Sequence, residues 1–335
     1  MKKFATEQEV LAVVKKVKDI GLGAQVDVGE EMTVVVVFGV NTGGIETGVF
    51  QVFPGVEQVV RIEKPYKLAS RDFKVSDTII DIGPVRIGGR ELVIMAGPCS
   101  VESEKQIMEC AQIAKACGAK VLRGGAFKPR TSPFSFQGLG IEGLKMLQKA
   151  KKETGLLIVT EVVSSETVRL VSEYADILQI GARNMQNYPL LDVVGKTQKP
   201  VLLKRGFCAT LEELLMAADY ILQYNPKPNV ILCLRGIRTP VDANRFTFDI
   251  CHLPKLRELT HLPIIADPSH PAKYSRYVPD LAYGAIAMGV DGLIVEIHPN
   301  PQNAQSDGLQ SLKFGDFATM MEAIGRLAEV RGRIV

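Results

Sequence analysis

Val201-Leu202-Leu203-Lys204-Arg205-Gly206 is a short apolar run that ends on two cations and a glycine. A run without polar alternation suits a strand buried on both faces, as in a parallel sheet. A charge just past such a strand cannot enter the core without a large desolvation cost, so it faces a cleft at the strand's carboxyl end. The same pattern recurs on either side. Val121-Leu122 leads into Arg123, Ile177-Leu178-Gln179-Ile180 into Arg183, and Val230-Ile231-Leu232 into Arg235. Strands that aim cations at one place describe a site for an anion with several negative charges, such as phosphate or a phosphorylated carboxylate.

Outward from this stretch, strand-like runs fall near residues 92–96, 120–123, 156–161, 177–181, 200–204, 229–234, 262–266 and 291–296. Helical patterns fill most of the gaps, over 102–117, 138–151, 165–174, 211–224, 277–288 and 317–330. Eight runs in strict alternation predict a closed (β/α)8 TIM barrel over residues 89–335 rather than an open doubly wound sheet. A barrel also explains the charge pattern, because it gathers the carboxyl ends of all its strands at one mouth.

Residues 1–66 have another texture. Glu7 to Ile20 shows helical periodicity and stops at Gly21-Leu22-Gly23. Residues 24–28 and 32–38 suit a hairpin around Gly29-Glu30-Glu31, 43–54 is weakly helical, and 56–62 suits a further strand. Helix, hairpin, helix and strand make most of a ferredoxin-like α+β domain. Residues 67–88 then read as a linker and β-hairpin, with Gly83-Pro84 at the turn and a role as plug or lid.

The net charge of +3 over 335 residues speaks against a nucleic-acid or acidic-membrane partner, so the cations act locally. No apolar run reaches spanning length, and Met1-Lys2-Lys3-Phe4 lacks the apolar segment of a signal peptide. The six cysteines include no closely spaced pair, which suits reduced thiols in a cytoplasmic protein.

Four distant positions share the predicted mouth. Cys99 follows the first barrel strand in Gly97-Pro98-Cys99-Ser100, and His270 follows the seventh in Asp267-Pro268-Ser269-His270. Glu296 ends the eighth strand, and Asp307 lies in the loop beyond. Strands one, seven and eight are neighbours in a closed barrel, so the four side chains can converge. Thiolate, imidazole and two carboxylates suit one divalent ion of manganese, iron, cobalt or zinc better than magnesium or calcium. Taken singly, a buried cysteine such as Cys99 is more often a small apolar residue than a ligand, and Glu296 reads also as the partner of an arginine; it is their shared face that favours the ligand reading. His298 competes as a ligand, although Pro299 opposes continuation of its strand. His252 and His261 read as solvent or packing histidines.

Arg123-Gly124-Gly125-Ala126-Phe127-Lys128-Pro129-Arg130-Thr131-Ser132 is the densest anion-site candidate. Its glycines permit close backbone approach, and three cations with two hydroxyls can bind phosphate as forks and point charges. For Arg205 and Arg238 a structural reading carries equal weight.

At these residues the chain resembles 3-deoxy-D-arabino-heptulosonate 7-phosphate (DAHP) synthase, in the branch with a ferredoxin-like regulatory domain ahead of the barrel. The motifs that carry the resemblance include Leu122-Arg123-Gly124-Gly125, Lys128-Pro129-Arg130-Thr131-Ser132-Pro133, Ile180-Gly181-Ala182-Arg183-Asn184, Arg235-Gly236-Ile237-Arg238-Thr239 and Glu296-Ile297-His298-Pro299. The resemblance implies condensation of phosphoenolpyruvate with erythrose 4-phosphate and release of phosphate, the first step of the shikimate pathway. It implies metal ligands at Cys99, His270, Glu296 and Asp307. It implies phosphoenolpyruvate contacts at Arg123, Lys128, Arg183, Lys204 and Arg235, and aldose-phosphate contacts at Lys128, Pro129, Arg130 and Thr131. Proton transfer falls to Lys128, His270 or Asp307. An aromatic amino acid effector and a homotetramer also follow from the resemblance.

One position departs from the family pattern: Leu234 stands where the family carries Glu, which removes a brace for a neighbouring basic residue. Residues 240–248 and 271–275 are also unusual for the family. The nearest alternative is 3-deoxy-D-manno-octulosonate 8-phosphate synthase, which uses arabinose 5-phosphate. That sister enzyme carries Ala-Asn in place of Pro129-Arg130. A Schiff-base aldolase acting through Lys204 and a non-catalytic phosphometabolite sensor are the remaining alternatives.

Overall fold

The computed structural model describes residues 1–29, 32–39, 42–61, 64–129 and 132–335. The chain opens with helix α1 (Glu7–Asp19), whose start is fixed by a capping box. Thr6 Oγ1 accepts the Glu9 N–H at 3.3 Å, and Glu9 Oε2 accepts the Thr6 N–H at 2.7 Å. Val13 and Val17 face inward from α1 onto the antiparallel pair β1 (Gly23–Val28) and β2 (Thr33–Phe38). The register sets Gly23 opposite Phe38 and Val28 opposite Thr33, so the expected hairpin forms. Its expected turn residues Glu30 and Glu31 lie outside the described residues.

The second half of this unit departs from expectation. Residues 43–54 hold a single 3-10 turn at Thr42–Gly44 and the one-turn helix α2 (Gly48–Gln51). The strand expected over 56–62 is absent from the described part of that segment. The reason is local. Gln51 Nε2 donates to the Glu57 carbonyl at 3.1 Å, and its Oε1 accepts the Val59 N–H at 3.1 Å. A side chain thus satisfies backbone groups that a neighbouring strand would otherwise pair.

Strands β3 (Ile80–Ile82) and β4 (Val85–Ile87) form the second hairpin. Its buried Ile80, Val85 and Ile87 join the barrel-interior cluster of Val93, Met95, Val121, Ile231 and Ile294. The hairpin is therefore a plug at the amino-terminal end of the barrel rather than a lid over the site. Burying each such side chain contributes roughly 1.5–3 kcal/mol.

Eight parallel strands follow, each succeeded by a helix. These are β5 (Val93–Gly97) and α3 (Glu104–Ala116), β6 (Val121–Arg123) and α4 (Ile141–Thr154), β7 (Leu157–Glu161) and α5 (Val168–Tyr174), and β8 (Ile177–Ile180) and α6 (Tyr188–Lys196). Then come β9 (Val201–Lys204) and α7 (Leu211–Leu222), β10 (Val230–Leu234) and α8 (Leu253–Leu259), β11 (Ile264–Ala266) and α9 (Val278–Met288), and β12 (Gly292–Glu296) and α10 (Phe314–Val330). The sheet closes where β12 pairs with β5, Glu296 lying opposite Gly97. All eight expected strands form. Helices α6 and α8 lie outside the expected helical stretches, and each carries a proline. In both, the proline sits in the first turn, where no intrahelical N–H is needed.

The small unit and the linker are tied to the barrel. Gln25 Nε2 donates to the Asn225 carbonyl at 2.7 Å, and Lys74 pairs with Asp27 at 3.1 Å. Asp219 on α7 accepts the Ala69 N–H at 2.8 Å. Burial raises the Asp219 pKa to about 6, despite these linker N–H groups. His261 is a packing histidine, as one of its expected readings holds. Its Nε2 lies 2.8 Å from the Leu68 carbonyl, which can only accept, so Nε2 carries the proton and Nδ1 accepts from Thr78 Oγ1 at 2.8 Å.

Candidate active site

The mouth is built by strand ends that approach closely. A Cβ at Gly97 would collide with the Arg123 carbonyl, so only glycine lets β5 and β6 converge there. The next turn delivers Cys99, which is buried, and its Sγ lies 3.2 Å from Asp307 Oδ2. Asp307 has a positive φ of 50°, a conformation aspartate tolerates. Donor atoms of Cys99, Glu296 and Asp307 all lie within 4.8 Å of one another. His270 Nε2 stands 3.7 Å from Glu296 Oε1. The four expected ligands are therefore together at one mouth, although three of them form the tight group.

His298 is not among them. It accepts the Asn300 N–H on Nδ1 at 3.0 Å and meets Glu102 Oε2 through Nε2 at 3.3 Å. The expected reading of Glu296 as an arginine partner also holds. Arg123 donates to Glu296 Oε1 at 3.0 Å and to the Pro98 carbonyl at 2.9 Å.

Electrostatics at the mouth are opposed in sign. Burial first, then the Glu296 charge, pushes the Cys99 thiol up to about 11. Burial would also raise Glu296 and Asp307, but the neighbouring His270, with Arg123 for Glu296 and Arg245 for Asp307, holds both carboxyls below the usual range. Burial lowers the His270 imidazole despite Asp267 and Glu296. An imidazole beside two carboxylates and a thiol is the donor set of a transition-metal site. The residues present fit such an ion.

The cations divide into two classes. Arg123 is paired with Glu296, and Lys204 donates to Asp267 Oδ2 at 2.6 Å. Arg205 points to the opposite face of its strand and pairs with the buried Asp249. Among the described residues, no carboxylate lies within ion-pair distance of Lys128, Arg183 or Arg235. Lys128 Nζ instead sits 3.1 Å from Cys99 Sγ. Arg235 lies 4.1 Å from the Phe246 ring and 5.0 Å from Phe207, and Arg183 lies 5.6 Å from Phe207. Burial lowers Arg235 to about 10, which leaves it charged at neutral pH. Pro129 is partly buried beside Lys128, while Arg130 and Thr131 lie outside the described residues.

Several site residues escaped the sequence reading. Glu161 ends β7 and meets Gln179 Nε2 at 3.4 Å, so an apolar run also ends here on a charge, but of the opposite sign. Asp267, Arg245 and Asp249 lie in loops and Gln310 in a 3-10 turn, and no spacing rule marks them. Phe207 and Phe246 stack in parallel with centroids 5.3 Å apart and form the floor under the guanidinium groups. Leu234 is fully buried. The register sets Cys233 beside Lys204, hence Leu234 beside Arg205, whose brace here is Asp249.

Comparison with known proteins agrees with this geometry. Residues 72–331 match the DAHP synthetase I family and residues 1–64 the DAHP synthase ferredoxin-like domain. The chain is 46% identical to the phospho-2-dehydro-3-deoxyheptonate aldolase of Thermotoga maritima over 332 residues, covering 99% of this chain and 98% of that protein. The crystal structure of the Thermotoga maritima protein aligns with a TM-score of 0.80 over 100% of this chain and 97% of that one. A truncated form of the 3-deoxy-D-arabino-heptulosonate 7-phosphate synthase from Thermotoga maritima aligns at 0.75, with 46% identity, over 80% of this chain and 98% of that one. The 2-dehydro-3-deoxyphosphooctonate aldolase of Geobacter sulfurreducens is 31% identical over 265 residues, covering 73% of this chain and 96% of that protein. No helix among the described residues is long and apolar enough to cross a membrane. By its barrel, its N-terminal unit and its full-length likeness, the chain belongs to the DAHP synthetase I family.

Proposed function

We propose that the chain condenses phosphoenolpyruvate with erythrose 4-phosphate and water, giving DAHP and inorganic phosphate. The observation that carries this reading is the meeting of two constellations at one mouth: Cys99, Glu296, Asp307 and His270 beside Lys128, Arg183, Lys204 and Arg235. A divalent ion of manganese, iron, cobalt or zinc held by the four ligands would supply Lewis-acid polarisation of the acceptor aldehyde.

The chain's own groups supply placement and proton control. Arg183 and Arg235 hold the phosphate and carboxylate of phosphoenolpyruvate over the Phe207 and Phe246 floor, with Arg123 and Lys204 completing the positive wall. So held, the methylene carbon of phosphoenolpyruvate attacks the aldehyde carbon. Water adds to the former enol carbon, and phosphate leaves by carbon–oxygen cleavage. Lys128 borders both substrates and can deliver a proton to the oxygen formed from the aldehyde, with His270 or Asp307 as the alternative donor. Much of the rate gain on this reading is positioning. The Pro129-Arg130-Thr131 run favours erythrose 4-phosphate over arabinose 5-phosphate.

On the same reading residues 1–66 are a regulatory unit, 67–88 a linker and plug, and 89–335 the catalytic barrel of a cytoplasmic homotetramer, with an aromatic amino acid as effector. One assay tests these points: phosphate release from phosphoenolpyruvate with each aldose phosphate, with and without a chelator. Release with erythrose 4-phosphate, abolished by chelation and restored by manganese, supports the reading. Equal release with arabinose 5-phosphate, or full turnover of the metal-free chain, overturns it. Adding tyrosine or phenylalanine to the same assay reads the regulatory part.

A further inference from the structure

We propose that Arg245, in the loop between β10 and α8, is a positioning residue that sets both carboxylates of the metal cradle and ties them to the anion-binding wall. Arg245 Nη1 donates to Asp307 Oδ1 at 3.0 Å and to Gln310 Oε1 at 2.8 Å. Gln310 Nε2 in turn donates to Glu296 Oε2 at 2.7 Å. Each carboxylate is thereby split. The outer oxygen of Asp307 goes to Arg245, and its inner oxygen faces Cys99 Sγ at 3.2 Å. One oxygen of Glu296 goes to Gln310, and the other faces Arg123 at 3.0 Å and His270 at 3.7 Å. A single guanidinium therefore backs both carboxylates, Asp307 directly and Glu296 through Gln310. Such outer hydrogen bonds orient ligands and raise metal affinity.

The same loop reaches the other constellation. Phe246, the next residue, lies 4.1 Å from the Arg235 guanidinium. The N–H groups of Arg245 and Phe246 both donate to the Pro271 carbonyl, at 3.1 and 3.3 Å, directly after His270. The backbone of the loop is thus anchored without help from the Arg245 side chain. With 41% of that side chain exposed, its attraction is screened, and its contribution is direction more than charge.

The inference rests on the metal reading above, and the test separates the two. The full-length chain and its Arg245→Met, Arg245→Lys and Gln310→Met variants are freed of metal and titrated with cobalt(II) against a chromophoric chelator. The sulfur-to-cobalt charge-transfer band and the melting temperature of the metal-free protein are followed in parallel. Arg245→Met is expected to bind cobalt about 10–100-fold more weakly, with an unchanged metal-free melting temperature. Arg245→Lys recovers part of the affinity, because one ammonium reaches one of the two acceptors. Adding Gln310→Met to Arg245→Met costs less than it does alone, because the two residues act in one chain of hydrogen bonds. Wild-type affinity in Arg245→Met, or a loss that Arg245→Lys does not reduce, overturns the inference. Failure of the parent chain to bind cobalt overturns the metal reading itself.

Discussion

Replacing Asp267 with asparagine tests whether the mouth is held together by charge or by shape. The carboxylate is 1% exposed, accepts from Lys204 Nζ at 2.6 Å and takes the His270 backbone N–H at 3.1 Å. Its Oδ2 also lies 2.7 Å from His270 Nδ1. Burial alone would raise its pKa, but His270 and Lys204 hold it well below the carboxylate range. Asp267 is therefore ionised at neutral pH, and asparagine removes a full charge while keeping volume and one acceptor oxygen. Unit charges 2.6 Å apart attract by about 6 kcal/mol at an effective dielectric of ~20. The amide dipole recovers part of this, and breaking one side of a buried pair costs about 3–5 kcal/mol. We expect a loss of that size in urea unfolding at neutral pH, with a raised KM for phosphoenolpyruvate.

A second variant separates the causes. Asp267→Asn with Lys204→Met removes both charges, so stability should return by more than half, whereas phosphoenolpyruvate binding stays impaired. Should Asp267→Asn unfold within about 0.5 kcal/mol of the parent, or the double variant prove no more stable than the single one, the charge argument fails.

His261 and Asp249 yield two further expectations. Burial drives the His261 imidazole down to about 4, against ~6.5 in the unfolded chain. A base depressed on folding is protonated preferentially in the unfolded state, so its contribution is complete above pH ~6.5 and lost as pH falls toward 4, by up to about 3 kcal/mol. His261→Gln should flatten that acid limb in unfolding measured across pH, and an unchanged slope would remove His261 as its source. Asp249 is the carboxylate on the buried Arg205, so Asp249→Asn should cost about 3–5 kcal/mol. Leu234→Glu in that background, beside Arg205 by register, should restore part of the loss in thermal unfolding, and a further loss would show that position 234 does not face Arg205.

How far the site was legible follows from what each interaction depends on. The barrel strands were readable because a strand buried on both faces writes itself as a contiguous apolar run, and Val201–Lys204 and Val230–Leu234 are such runs. The helix Tyr188–Lys196 lies outside the expected helical stretches: it has nine residues, too few to write a long periodic pattern, and Pro189 sits in its first turn. The strand expected at 56–62 was misread because Gln51, a residue outside the pattern, satisfies its backbone. The cations were legible as charges at strand ends, and Glu296 as a partner of some arginine, but which charge meets which was not. Lys204 and Asp267 are separated by 63 positions, and Arg123 and Glu296 by 173. Those pairs are set by barrel closure, which no local spacing encodes.

This division has a chemical consequence. Arg123 and Lys204 each face a carboxylate, so an incoming anion must share them with a partner already in place. Lys128, Arg183 and Arg235 face a thiol or aromatic rings, which satisfy a cation weakly and leave its charge directed at the mouth. The paired cations set the shape of the wall, and the carboxylate-free cations supply its attraction. Truncating Lys128, Arg183 or Arg235 should therefore weaken phosphoenolpyruvate binding with little loss of stability, whereas removing Arg123 or Lys204 takes the paired cation from a buried carboxylate and costs both.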